Sequence, residues 1–290
     1  MTIFSLLPIT YYLLPITYYR TTIQNMVFEK ELDVAVRAAL EAGRLIMEIY
    51  ESEDFGIEKK GDDSPLTRAD RAAHESIVHA LESTGLPILS EEGKSIAYEE
   101  RKAWKRYWLV DPLDGTKEFI SRNGEFTVNI ALIEEGMPVL GVVYVPVLDE
   151  LFFGSTDEGG YYVPAASGLS GSIDRLQERA YALPLAKKGR PYRVVGSRSH
   201  MNDLTAAFID SVRDEYPDLE IVQRGSSLKI CMVAAGDADI YPRFGPTMEW
   251  DTAAGHAVAR AAGKSMIEAG SGKELLYNKK ELLNPYFIVW

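Results

Sequence analysis

The chain has 290 residues, 46% of them hydrophobic and 26% charged, with 43 acidic side chains against 31 basic ones and a net charge of −12. That length gives one large domain or two moderate ones around a sizeable core, with the composition of an ordinary soluble globular protein. The acidic field repels nucleic acid and anionic membranes, and no basic run overrides it, so handling an anionic substrate requires bound cations to neutralise the protein's own carboxylates.

In chain order, residues 1–19 carry no charged side chain, and Leu-Leu-Pro-Ile-Thr-Tyr-Tyr occurs twice, at 6–12 and 13–19. Pro8 and Pro15 break a spanning helix, and no basic segment precedes the apolar stretch. Residues 1–25 therefore read as a disordered low-complexity extension with Met26 as the functional start. A membrane anchor and a cleaved signal are the competing readings, and no stable membrane span is expected. From Phe28 to about Tyr50, Leu32, Val36, Leu40 and Met47 recur at helical spacing, and a second helix begins near Thr67 with Ala73, Ile77 and Leu81 inward. Residues 87–90 and 107–110 read as strands, the second stopping at Asp111-Pro112. Runs 127–133 and 139–145 form a hairpin through Glu134-Glu-Gly-Met-Pro, and 151–154 and 161–163 extend that sheet. Composition shifts over 164–190, which sets a junction between lobes 26–163 and 164–290. Beyond it strands at 192–195, 219–222 and 238–241 alternate with helices at 203–215, 226–235 and 251–262, an α/β pattern. Cys231, in the helix at 226–235, reads as a buried core thiol; as the lone cysteine it excludes an internal disulfide and fits a reducing compartment. The histidines at 74, 79, 200 and 256 lack zinc-like spacing.

The chemistry concentrates in Trp108-Leu-Val-Asp111-Pro-Leu-Asp114-Gly-Thr116. A strand delivers Asp111 to its end, Pro112 turns the chain, and Asp114 points back to the same spot. Gly115 lets backbone approach closely, and a helix from Thr116 offers free amides to a phosphate. Two carboxylates held together repel unless cations lie between them, and oxygen-only ligands select a hard ion, magnesium before zinc or copper. Alone, Asp70 has the spacing of a capping box with Thr67, and Asp251 that of a helix N-cap.

The string Asp111-Pro-Leu-Asp-Gly-Thr116 resembles the signature of the inositol monophosphatase-like superfamily of lithium-sensitive, magnesium-dependent phosphatases. Within it the chain is most similar to the CysQ-type 3'(2'),5'-bisphosphate nucleotidases. That likeness rests on Asp63-Ser-Pro-Leu-Thr-Arg-Ala-Asp70, Leu89-Ser-Glu-Glu92, Lys117-Glu-Phe-Ile, Asn123-Gly-Glu-Phe-Thr-Val-Asn-Ile130, Gly225-Ser-Ser-Leu-Lys229, Tyr241-Pro-Arg-Phe-Gly-Pro-Thr247 and Trp250-Asp-Thr-Ala-Ala-Gly-His256. The resemblance implies an α+β, layered αβαβα sandwich of the inositol monophosphatase and fructose-1,6-bisphosphatase type, with the active site between the two lobes. It implies two or three magnesium ions held by Glu91, Asp111, Asp114, Asp251 and the carbonyl of Leu113, with Glu92 behind them. Asp70 and Thr116 then orient and deprotonate the attacking water. Gly115, Ser197, His200, Gly225 and Lys229 are the implied substrate contacts; Arg243 either balances phosphate or pairs with an acidic neighbour, and His200 alone also reads as an ordinary strand-end residue. The implied reaction converts adenosine 3',5'-bisphosphate to AMP and phosphate, with the sulfated analogue PAPS as a second substrate. A broad inositol or sugar phosphatase and a non-catalytic phosphometabolite sensor are the alternatives. A cytoplasmic monomer or homodimer, peripheral to the inner membrane face at most, completes the expectation.

Overall fold

Residues 28–52, 55–59, 65–168, 176, 178–185, 189–197 and 202–290 are described by the computed structural model; the expected extension over 1–25 lies outside them. The chain opens with α1 (Glu29–Tyr50), a short hairpin of β1 (Glu58–Lys59) and β2 (Pro65–Leu66), and α2 (Arg68–Glu82). The main sheet follows, in the order β3 (Ile88–Ser90), β4 (Arg106–Asp114), β5 (Thr127–Glu134), β6 (Met137–Val145), β7 (Glu150–Ser155), β8 (Gly159–Pro164) and β9 (Tyr181–Ala182). Only β3 and β4 are parallel; every other neighbouring pair is antiparallel. The expected hairpin forms between β5 and β6, where Glu135 and Gly136 both take positive φ, as a two-residue primed turn requires. The last strand, at 181–182, lies inside the segment of shifted composition and past the expected boundary after 163, so the main sheet draws on both expected lobes.

Side chains on this sheet alternate between two cores. Trp108, Val110, Ile130 and Leu132 face α1 and α2, where Leu32, Val36, Ile46, Ile77 and Leu81 are buried. Tyr107, Leu109, Ala131 and Ile133 face the opposite way, toward α6 (Leu228–Ala234) and α7 (Glu249–Ala261). A strand buried on both sides reads as a near-continuous apolar run, which is why 127–133 shows little alternation in sequence. α7 lies very close to the sheet because both surfaces are small: a Cβ at Gly141 would stand 2.3 Å from the Ala254 carbonyl oxygen. Beyond α6 and α7, β10 (Arg193–Ser197) pairs in parallel with β11 (Glu220–Arg224), while β12 (Tyr241–Arg243), β14 (Phe287–Val289) and β13 (Met266–Glu268) form an antiparallel trio. A bridge between Val194 and Ile240 joins the two groups, and α5 (Asp203–Glu215) covers them with Ile209 against Val194 and Leu219. The layers are thus α, β, α, β, α, as the resemblance implied. α3 (Tyr98–Arg101) and α4 (Thr116–Ile120) complete the helices used below. Among the described residues no helix is long and apolar enough to cross a membrane.

One element differs from expectation in a way that matters. β4 does not stop at Asp111-Pro112 but runs on to Asp114, its ladder slipping between the two aspartates. Proline cannot donate to a ladder, yet it is tolerated where a bulge leaves its residue unpaired.

Candidate active site

The slipped ladder explains how Asp-x-x-Asp serves one site. In a regular strand, residues three apart point to opposite faces. Here Asp111 lies opposite Asn129 and Asp114 opposite Thr127, so three steps on β4 span two on β5. The bulge converts an odd spacing into an even one and turns both carboxylates the same way. Within it the Leu113 amide donates to Asp111 Oδ1 at 3.1 Å, and the Leu113 carbonyl, outside the ladder, has Thr116 Oγ1 3.5 Å away. Gly115 follows with φ +92°, where a Cβ would meet Ser226 Oγ at 2.2 Å; only glycine fits.

Glu91, placed just past β3, comes together with Asp111 and with Asp251 from the first turn of α7. One oxygen from each lies within 4.8 Å of the others. Asp111 is buried and its pKa is pushed well above the usual carboxylate range, by burial first and then by the charges of Glu91, Asp114 and Asp251. Asp251 is raised likewise, by burial and then chiefly by Asp114. Burial and like charge therefore make the ionised cluster unfavourable until something positive joins it. The donors are all oxygens, a set that suits a hard divalent cation. Asp114 adds its charge but stands outside the trio, and its Oδ2 is engaged elsewhere. It accepts the Ser227 amide at 2.7 Å, with Ser227 Oγ at 3.0 Å, Asn129 Nδ2 at 3.3 Å and Thr127 Oγ1 at 3.4 Å.

Asp70 is part of the cap that its spacing suggested, and it also reaches Thr116. Its Oδ2 accepts the Thr67 amide at 2.7 Å in a capping box at the start of α2, while Oδ1 accepts the Thr116 hydroxyl at 3.1 Å. Asp251 differs from the N-cap its spacing suggested: Met248 caps α7, which begins at Glu249, and Asp251, in the third helical position, accepts the Met248 amide on Oδ2 at 2.8 Å. The residues that sequence reasoning missed are the neutral ones that hold the acids. Ser227 Oγ lies 2.6 Å from the Asp251 carbonyl oxygen as well as beside Asp114, and Asn129 Nδ2 donates to it at 2.9 Å. These residues tie β4, β5, α6 and α7 together at one point. Serine, threonine and asparagine in a strand and a helix start carry no local mark of this task.

A pocket of about 130 Å³ opens beside the carboxylates, lined in part by Gly115, Gly225, Lys229, Tyr241, Arg243 and Asp251. Lys229 is buried, and its Nζ donates to the Ser226 carbonyl at 2.6 Å. Burial pushes its pKa down to about 8 against the opposing pull of Asp114, with Arg243 lowering it further. Arg243 donates one Nη2 bond to the Pro246 carbonyl at 2.8 Å, and its buried Nε has no hydrogen-bond partner among the described residues. Gly225 donates its amide to Glu125 Oε2 at 2.8 Å. His200 and the side chain of Ser197 lie outside the described residues. Cys231 is buried in the core, far from the thiolate form because burial raises its pKa.

A model of the inositol monophosphatase family matches residues 28–286. The 3'(2'),5'-bisphosphate nucleotidase CysQ of Salmonella typhimurium is 46% identical over 262 residues, covering 89% of this chain and 98% of that one. The protein of the same name in Escherichia coli is 45% identical over the same shares. The crystal structure of CysQ from Bacteroides thetaiotaomicron, a bacterial member of the inositol monophosphatase family, has a TM-score of 0.85 at 50% identity, covering 91% of this chain and 98% of that one. An IMPase structure from Thermotoga maritima shares the fold, with a TM-score of 0.66 at 24% identity over 90% and 91% of the two chains.

Proposed function

The chain belongs to the inositol monophosphatase family, and from that premise we propose that it is a magnesium-dependent 3'(2'),5'-bisphosphate nucleotidase. It hydrolyses the 3'-phosphate of adenosine 3',5'-bisphosphate to give AMP and inorganic phosphate, and acts on PAPS as a second substrate. The observation that carries this reading is the meeting of Glu91, Asp111 and Asp251 beside a hydroxyl–carboxylate pair, Thr116 and Asp70.

Glu91, Asp111 and Asp251 would hold the magnesium ions, with the free oxygen of Asp114 and the carbonyl of Leu113 to complete the set. Bound there, magnesium supplies positive charge against the phosphoryl oxygens and makes a water acidic enough to attack. Asp70 and Thr116 move the proton. The Thr116 hydroxyl points its hydrogen at Asp70 Oδ1, so its oxygen can accept a hydrogen from water while its own proton passes to the carboxylate. The water oxygen bonds to phosphorus, the bond from phosphorus to the 3'-oxygen breaks, that oxygen takes a proton from solvent water to become the AMP hydroxyl, and Asp70 releases the proton it accepted back to solvent. Because Asp70 is fixed by its cap, the base is in place before substrate arrives. Lys229, Arg243 and the Gly225 segment suit the second phosphate, whose charge a buried lysine and a forked guanidinium can meet.

Phosphate release by the full chain in magnesium, from adenosine 3',5'-bisphosphate, inositol 1-phosphate and fructose 1,6-bisphosphate, tests the proposal. The bisphosphate nucleotide should be turned over with the highest kcat/KM. A wide preference for inositol 1-phosphate would overturn the substrate and leave the phosphatase. Release from none of the three would overturn both.

A further inference from the structure

α2 carries more of the site than Asp70. His74 lies four residues on, one turn along the same face, and its Nδ1 stands 2.9 Å from Ser90 Oγ. Ser90 is the buried last residue of β3 and the one before Glu91. The turn it begins is tight: the Gly93 amide donates to the Ser90 carbonyl at 3.0 Å, and the Glu91 amide donates to the Val110 carbonyl at 3.1 Å. Gly93 sits under the imidazole, where a Cβ would lie 3.6 Å from His74 Cε1. We infer that His74 is a positioning residue: by bonding Ser90 it fixes the turn that presents Glu91 to the carboxylate trio. One helix then sets both the proton-accepting pair, through Asp70, and a metal carboxylate, through His74. This rests on the metal reading of the trio given above.

Burial lowers the His74 pKa, so a neutral side chain is a fair replacement. Asparagine places a polar atom where Nδ1 stands, whereas glutamine reaches to the position of Nε2. Groups that orient a metal ligand are commonly worth 10–100-fold in affinity. The test is binding of Mn²⁺, a hard divalent probe, to the metal-free full-length chain by electron paramagnetic resonance, alongside thermal unfolding without metal. His74→Ala should weaken Mn²⁺ about tenfold with a metal-free Tm close to that of the parent, His74→Asn should restore the affinity, and His74→Gln should not. Ser90→Ala should match His74→Ala, and the double variant should lose no more than either single one, because one bond is being removed. Equal Mn²⁺ affinity in His74→Ala and the parent overturns the inference, as does asparagine binding no better than alanine, or a lowered metal-free Tm with affinity intact. A parent chain that binds no Mn²⁺ overturns instead the metal reading beneath it.

Discussion

Thr116 has one proton to give, and in this structure it gives it to Asp70. Replacing it by alanine leaves the Asp70 cap with Thr67 intact, so the fold should hold while the route for the water's proton is lost. Thr116→Ala is expected to lower kcat about 10²- to 10⁴-fold, the usual worth of a positioned acid–base group, with KM nearly unchanged. Thr116→Ser should keep most of the rate, and steady-state kinetics on the three proteins checks this. Lys229 makes a prediction with a sign. Its folded pKa of about 8 lies below the ordinary lysine value of 10.5, so the lysine is charged below that point and neutral above it. KM for a bisphosphate should rise as pH climbs through about 8, and Lys229→Arg should flatten the rise. Stability moves the other way: between 8 and 10.5 the unfolded lysine still holds a proton that the folded one has released, so folding becomes more favourable over that window. Thermal unfolding of Lys229→Met across the same range should lack that gain.

At the scale of elements, helical periodicity made α1 and α2 legible, and the motif strings led to Asp111, Asp114, Glu91 and Asp251. The bulge in β4 was not legible, because Pro112 after an apolar run gives the same local signal whether the chain turns or only slips its ladder. The three-residue strands β13 and β14 lie in a segment for which no element was expected, since so short a strand has no period to show. Ser227, Asn129 and Thr127 stand inside the motif strings, but their role was not legible there, because it exists only once four elements meet. The placement of α7 was partly written in its small residues, but the demand on the facing strand was not. Gly141→Val should drive a side chain into the Ala254 carbonyl and push away the helix that carries Asp251. A loss of about 1–3 kcal/mol or more in urea unfolding is expected, together with weaker Mn²⁺ binding, which a purely local defect in β6 would spare.

For the whole molecule, the site is a strain that the two cores must carry in the absence of a cation. Asp111 and Asp251 have raised folded pKa values against an ordinary 3.8. As pH rises above 3.8, the unfolded chain therefore releases protons that the folded one retains, so these groups make the metal-free protein less stable as pH climbs. A divalent cation competes with those protons and should stabilise more at higher pH. The gap in Tm with and without magnesium should be narrow near a pH of about 5 and reach on the order of 5 °C at a pH of about 8 in magnesium at a hundred times its Kd. Scanning calorimetry in chelator and in magnesium checks it, and a gap independent of pH would sink it. The out-of-step residue in β4 has a consequence at this scale too. A ladder with such a mismatch cannot slide along its neighbour without carrying the mismatch with it, so β4 and β5 have a single alignment. The separation of the two aspartates is accordingly cast in backbone, like the bitting of a key, before any ion enters.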